Sequence, residues 1–178
     1  LRDRQTVVLS LPTDVQDATW SAAPALPTLP PPPRPMHPDP AAVGALVAAL
    51  GAAQRPLILA GRGAVVSGAE QALTALAEHS GALLATSVCG HGLFADNPWC
   101  LGICGGFGSP AADALIFESD LILGFGVSFT PWTTKRGKLM AAGTVVAQVD
   151  IEAARLAWQM PVTHAVLGDA RVPGGDEP

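Results

Sequence analysis

What most constrains this chain is a series of short, uniformly apolar runs separated by helical patterns. Pro56-Leu57-Ile58-Leu59-Ala60 is the clearest, and similar runs fall near residues 82–86, 99–103, 120–124, 144–149 and 165–167. Runs this short, without polar alternation, are strands covered on both faces, as in a parallel sheet layered by helices. The intervening segments supply those helices. Val43, Leu46, Val47 and Leu50 form an i, i+3, i+4, i+7 stripe that Asp39-Pro40 starts and Gly51 ends. A second helix is expected over 67–79, with Ala69, Leu73, Leu76 and Ala77 on one face and Gly81 just beyond. Further helical segments fit 109–117, the region around 135–142, and the residues after Asp150. The pattern predicts an α/β domain over residues 40–172: a doubly wound, about six-stranded parallel sheet with helices on both faces. Right-handed crossovers put every strand's C-terminal end on one edge, where ligands usually sit.

Residues 1–39 follow different rules. Thr6-Val7-Val8-Leu9-Ser10-Leu11 reads as a buried strand stopped by Pro12-Thr13-Asp14. Between Pro24 and Pro40 stand nine prolines in 17 residues. That stretch lacks the amide donors for helix or sheet, so residues 21–39 are expected to be an extended, semi-rigid connector. The strand before it then belongs to a domain that is mostly missing. Both termini read as cut: Leu1 is not a Met, and the tail 173–178 carries no packing residues.

Composition narrows the class. The 178 residues suffice for one domain with a full core, and only 14% are charged. The net charge is −5, with ten Lys and Arg scattered along the chain, which offers nucleic acid no footprint. Only two are Lys, and no apolar run approaches the roughly 20 residues that span a bilayer, so no membrane partner is expected. Three cysteines, Cys89, Cys100 and Cys104, are an odd set that fits a reducing, cytoplasmic setting. Cys100 and Cys104 have no second ligand pair at zinc-site spacing, so they read as packed thiols.

Glycine turns follow two strands, Gly61-Arg62-Gly63 and Gly124-Phe125-Gly126, and a third cluster spans Gly102 to Gly108. Such turns permit close approach of backbone to phosphate near a helix start. The dinucleotide fingerprint fails twice, however. Val66 and Phe129 stand where its third glycine belongs, and Gly81-Ala82 occupy the region of the acidic residue. Asp150, closing Val145-Val146-Ala147-Gln148-Val149, has two readings, an acceptor for vicinal ribose hydroxyls or a helix N-cap, and Asp169 has the same two. His91 sits in a loop on the presumed ligand edge, where a solvated side chain is the plainer reading. No hydrolase elbow and no complete catalytic constellation is present.

The ordered series carries a resemblance. It runs from Arg55 through the Gly61-Arg62-Gly63-Ala64 turn to Ser67-Gly68-Ala69, then Ala85-Thr86-Ser87 and Gly90-His91-Gly92-Leu93-Phe94. Leu101-Gly102, Ser119-Asp120-Leu121-Ile122-Leu123-Gly124-Phe125-Gly126, Val149-Asp150-Ile151-Glu152 and Val166-Leu167-Gly168-Asp169-Ala170 complete it. This resembles the Rossmann-like central domain of thiamin-diphosphate-dependent enzymes of the acetolactate synthase, oxalyl-CoA decarboxylase and benzaldehyde lyase type. Residues 1–20 then resemble the end of a pyrimidine-binding domain, with 21–39 as the interdomain connector.

The resemblance implies a non-catalytic domain, with structural and subunit-contact roles, of a lyase, decarboxylase or carboligase acting on 2-keto acids or acyl-CoA-type substrates. Its partners would be the missing pyrimidine- and diphosphate-binding domains and, in a dimer or tetramer, other copies. The parent would need thiamin diphosphate and Mg²⁺, with this segment binding neither. Some members hold FAD in this domain and the oxalyl-CoA enzyme holds ADP. The matching positions are Gly61, Arg62, Gly63, Ser87, Val88, Gly126, Val127, Asp150, Ile151, Asp169 and Ala170. Two departures count against FAD. The charged Arg-Phe-Asp-Asp-Arg run of acetolactate synthases reads Ser128-Phe129-Thr130-Pro131-Trp132 here, and the usual lysine of the Gly-Lys-Gly loop is His91. The alternatives are a FAD- or ADP-binding module of such an enzyme, or an independent nucleotide-dependent oxidoreductase.

Overall fold

The computed structural model describes residues 8–19, 28 and 35–171, in two compact units divided between Arg34 and Pro35. In the first unit, residues 8–12 carry no strand, and one short helix, α1 (Thr13–Gln16), follows where a stop was expected. Thr6 and Val7, most of the proline-rich connector, and the tail lie outside the described residues.

In the second unit, helix α2 (Pro40–Ala52) starts as its sequence dictates. Asp39 accepts from the Ala41 amide at 2.9 Å and Pro40 occupies the first turn. Strand β1 (Pro56–Ala60) leads into the short helix α3 (Arg62–Ser67), and α4 (Glu70–Ser80) follows. The helix expected over 67–79 is α4, which starts at Glu70, while α3 forms where only a glycine turn was expected; Gly68, at a left-handed φ of 66°, separates the two. Gly81, at φ 68°, ends α4 in the same way. The remaining elements are β2 (Leu83–Thr86), β3 (Cys100–Ile103), α5 (Pro110–Phe117), β4 (Leu121–Phe125), β5 (Val145–Asp150) and β6 (His164–Leu167). Ser109 caps α5 by accepting from the Ala112 amide at 3.1 Å.

All six strands are parallel, in the order β3-β2-β1-β4-β5-β6. The chain reverses its direction of winding at β1, so the switch point lies between β1 and β4. Leu57 pairs with Leu83 on one side and Ile122 on the other, a register that sorts successive side chains to opposite faces. On one face Ile58, Ala60, Leu84, Leu123 and Val149 pack under α3 and α4, with Val43, Leu46 and Leu50 of α2 added at the rim. On the other, Leu57, Leu59, Ala85, Ile122 and Val146 pack under Ile116 of α5 and under coil residues Val127, Phe129 and Leu139.

That second face corrects two expectations. No helix forms around 135–142. Residues 131–139 are successive turns, with Lys135, Arg136 and Gly137 all at positive φ. The segment after Asp150 contains only a three-residue 3₁₀ turn, Ala153–Arg155. The loop before β1 is tied down by Asp120, whose carboxylate accepts from the Gln54 and Arg55 amides at 2.7 and 2.9 Å. Among the described residues, no helix is long and apolar enough to cross a membrane.

Candidate functional site

Because every strand runs the same way, the residues nominated from sequence all fall on one edge of the sheet. Gly61, Arg62 and Gly63 follow β1, Ser87 and Val88 follow β2, and Gly126 and Val127 follow β4. Asp150 ends β5 with Ile151 next, and Asp169 and Ala170 lie just past β6.

The two glycine turns meet each other at the switch point. Gly61 donates to the Phe125 carbonyl at 2.9 Å and Gly63 to the Gly126 carbonyl at 3.1 Å. A Cβ on Gly61 would lie 2.2 Å from the Gly126 oxygen, and one on Gly63 would lie 2.6 Å from the Gly126 Cα. Gly126 is itself left-handed, at φ 58°, and a Cβ there would lie 2.4 Å from the Gly63 Cα. Close backbone packing therefore accounts for all three glycines. The Gly63 amide, one of the first donors of α3, is engaged within the fold rather than offered to a phosphate.

The neighbouring turns are locked in the same manner. The Ser87 amide donates to the Ala60 carbonyl at 2.8 Å, and a Cβ on Gly90 would lie 2.7 Å from that oxygen. Gly124 makes room for the Phe129 ring, which would stand 2.5 Å from a Cβ, and Phe129 holds a strained φ of 47° against it. Val127 and Ala170 are buried, at 3% and 7% exposure, so their side chains belong to the core and not to a ligand surface. Arg62, Val88, Ile151 and His91 are exposed. Arg62 forms no ion pair among the described residues.

Asp150 and Asp169 each accept from the amide two residues on, Glu152 at 3.0 Å and Arg171 at 2.9 Å. Neither is the helix N-cap that the sequence suggests: Glu152 stands at the start of the 3₁₀ turn after Asp150, and no helix follows Asp169 among the described residues, so both carboxylates close local turns instead. Asp150 nevertheless differs. Burial pushes its carboxyl above the usual range, the Glu152 amide opposes the rise, and the Glu152 charge adds to it. A half-buried carboxylate in that setting gains from a hydroxyl donor supplied by a ligand.

Two groupings were not legible from sequence. Gln148 lies within an apolar strand, 2% exposed, and its amide ties three points of the edge. Its Nε2 donates to the Val127 and Arg155 carbonyls at 3.0 and 3.2 Å, and its Oε1 accepts from the Ala157 amide at 2.8 Å. One polar residue inside an otherwise apolar run was the available signal. Beyond β3, Lys135 pairs with Asp113, whose Oδ1 is buried without a partner. Cys104 donates to the Thr133 carbonyl nearby, its thiol pushed up to about 12 by burial and by the Asp113 charge. Among the described residues, no three His, Cys, Asp or Glu side chains come together as a metal-binding set.

Comparison with known proteins places this architecture. Residues 43–172 match the family model described as the thiamine pyrophosphate enzyme, central domain. A probable 2-ketoarginine decarboxylase of Pseudomonas aeruginosa is 36% identical over 174 residues, covering 93% of this chain and 29% of that protein. A probable acetolactate synthase large subunit of Methanococcus aeolicus is 32% identical over 124 residues, 69% of this chain and 21% of that protein. The acetolactate synthase large subunit of Parasynechococcus marenigrum is 30% identical over 167 residues, 92% of this chain and 27% of that protein. The chain therefore spans 21–29% of the length of these curated relatives.

Proposed function

Because this chain belongs to the central-domain family of thiamine pyrophosphate enzymes, we propose that it is the non-catalytic middle domain of a larger decarboxylase, lyase or carboligase. That enzyme acts on a 2-oxo acid, the substrate class in keeping with the 2-ketoarginine decarboxylase relative. Thiamin diphosphate and Mg²⁺ serve the chemistry in the flanking domains. The described residues of this chain do not fit the metal, since they bring no set of three His, Cys, Asp or Glu side chains together. Residues 1–20 close the preceding domain, 21–39 connect, and 40–172 form the middle layer that contacts its neighbours in a dimer or tetramer.

The observation that carries this reading is the interlocked switch point. Gly61 and Gly63 pack directly on Gly126, so the glycine turns are explained by the fold itself, and the nearest amide donor is already used. A second reading, a module that takes ADP or FAD at Gly61, Arg62, Gly63, Ser87, Val88, Gly126, Val127, Asp150, Ile151, Asp169 and Ala170, is favoured by the half-buried carboxyl of Asp150. Two measurements on the purified chain test the first reading. The chain is expected neither to turn over 2-oxo acids supplied with thiamin diphosphate and Mg²⁺ nor to absorb between 350 and 480 nm, and turnover would overturn it. A stability gain on adding FAD, roughly 2.7 kcal/mol at a hundredfold excess over Kd, would favour the second reading instead.

A further inference from the structure

Parallel neighbours are usually joined through a helix, but β4 and β5 are joined by turns and coil, and that connection is strained. Of the four non-glycine residues with positive φ among the described residues, Phe129, Lys135 and Arg136 lie in it, at 47°, 48° and 58°. Its ends are rooted in the core through Phe129 and Leu139, 2% and 4% exposed. Between them, residues 130–137 are bonded chiefly to themselves. The Thr134 amide and hydroxyl both donate to the Thr130 carbonyl, at 3.0 and 3.1 Å, and the Arg136 amide donates to the Pro131 carbonyl at 2.8 Å. The segment is built to move as one piece.

Among the described residues, three hydrogen bonds fasten this segment to the β3 side of the fold. The Gly106 amide donates to the Trp132 carbonyl at 3.0 Å, the Cys104 thiol to the Thr133 carbonyl at 3.3 Å, and Lys135 to Asp113 in the first turn of α5. The backbones fit closely, since a Cβ on Gly105 would stand 2.8 Å from the Thr133 Cα. Cys104, 3% exposed, lies beneath. The closed arrangement carries two costs: a left-handed φ at both Lys135 and Arg136, and a buried Asp113 Oδ1 without a donor. Lys135–Asp113 is the ionic fastening, and its side chains are 35% and 21% exposed, so water can part them.

We propose that residues 130–137 are a latched cover over the Cys104 thiol, which opens as a unit when Lys135 leaves Asp113 and admits electrophiles to the sulfur. Opening relieves the strain at Lys135 and Arg136 and lets water reach Asp113 Oδ1, so both costs of the closed form favour it. Burial and the Asp113 charge keep the covered thiol protonated. The cover therefore governs both access to the sulfur and its thiolate fraction. The device belongs to these residues alone and is independent of the reaction of the parent enzyme.

The experiment uses the full chain, unmodified, as Lys135→Met, as Asp113→Asn, and as Lys135→Met combined with Arg136→Gly. It reads hydrogen exchange at the Gly106 and Gly61 amides, and alkylation of Cys104 by iodoacetamide at urea concentrations below the unfolding transition. Lys135→Met is expected to speed Gly106 exchange at least tenfold, to leave Gly61 unchanged, and to let Cys104 be alkylated in the folded chain. Asp113→Asn breaks the same pair with little change of shape and is expected to act alike. Adding Arg136→Gly to Lys135→Met is expected to slow alkylation at least threefold, because glycine holds a φ of 58° without strain. Equal acceleration at Gly106 and Gly61 would overturn the cover, since the whole fold would then be opening. Cys104 that stays unlabelled below the unfolding transition in both single variants would overturn it too. Alkylation that Arg136→Gly does not slow would remove strain as the source of opening, and the proposal with it.

Discussion

Gly63 donates its backbone amide to the carbonyl of Gly126 at 3.1 Å, joining the turn after β1 to the turn after β4 without any side chain. Between these turns there is no room for a methyl group, and the glycines on α2 make the opposite case. Gly61→Ala is expected to cost roughly 3 kcal/mol, because its Cβ would meet backbone atoms that cannot rotate away. Gly44→Ala, in mid-helix with nothing within 4 Å of the new Cβ, is expected to stabilise by about 0.5–1 kcal/mol. Urea denaturation of the two variants checks both signs.

Asp120 gives the fold an acid-sensitive tie. Slight burial raises its carboxyl, but the Gln54 and Arg55 amides and the Arg55 guanidinium outweigh this and hold it below the usual range. A lowered folded-state value means that the contribution is complete above the unfolded value of about 3.9 and is lost as pH falls through the folded value. Asp120→Ala is therefore expected to cost about 1 kcal/mol at pH 7, where the two amides lose their acceptor, and less once pH falls below the folded value. Melting curves across that range test the convergence.

Asp150 has the opposite sign. Burial raises its carboxyl, so the folded state favours the proton, and the cost of the carboxylate appears as pH rises through the folded value. Asp150→Asn keeps an oxygen for the Glu152 amide and removes that cost. Its melting midpoint is expected to exceed that of the unmodified chain at pH 7, and the advantage to vanish near ~pH 3. An advantage that persisted at low pH would show that charge is not its cause.

Thiol reactivity should separate the cysteines. Cys104 is buried and its thiol is pushed up to about 12 by burial and by Asp113, so it is almost wholly protonated at pH 8. Cys89 is exposed. Iodoacetamide at pH 8 is expected to label Cys89 readily and Cys104 only after unfolding, as mass spectrometry of the peptides would show.

The strands were legible because residues such as Leu57, Ile58 and Leu59 have no polar neighbour that a solvent-facing pattern requires. The helix starts at Asp39 and Ser109 were legible for an equally local reason, since a capping oxygen followed by proline favours one geometry. The edge was harder. Around 135–142 the alternation of elements leaves room for a helix, yet Thr134 takes the Gly137 amide on its hydroxyl and the Leu139 amide on its carbonyl. Lys135 meanwhile reaches Asp113, 22 residues away in sequence. Likewise, Gln148 claims the Arg155 carbonyl and the Ala157 amide, which limits the segment after Asp150 to one 3₁₀ turn. Contacts made across the fold decided these segments, and no local window contains them. For the candidate site, sequence put the glycines on the right edge but left open what they face, which depends on how two distant turns meet.

The lock between Gly61, Gly63 and Gly126 also bears on how such a domain changes over time. Its demand for glycine comes from the polypeptide itself, so it persists whether the crevice carries a passenger or not. A lineage can lose its nucleotide and keep the motif unaltered, and a glycine-rich turn of this kind records the crossing of two chain segments more faithfully than the presence of a guest.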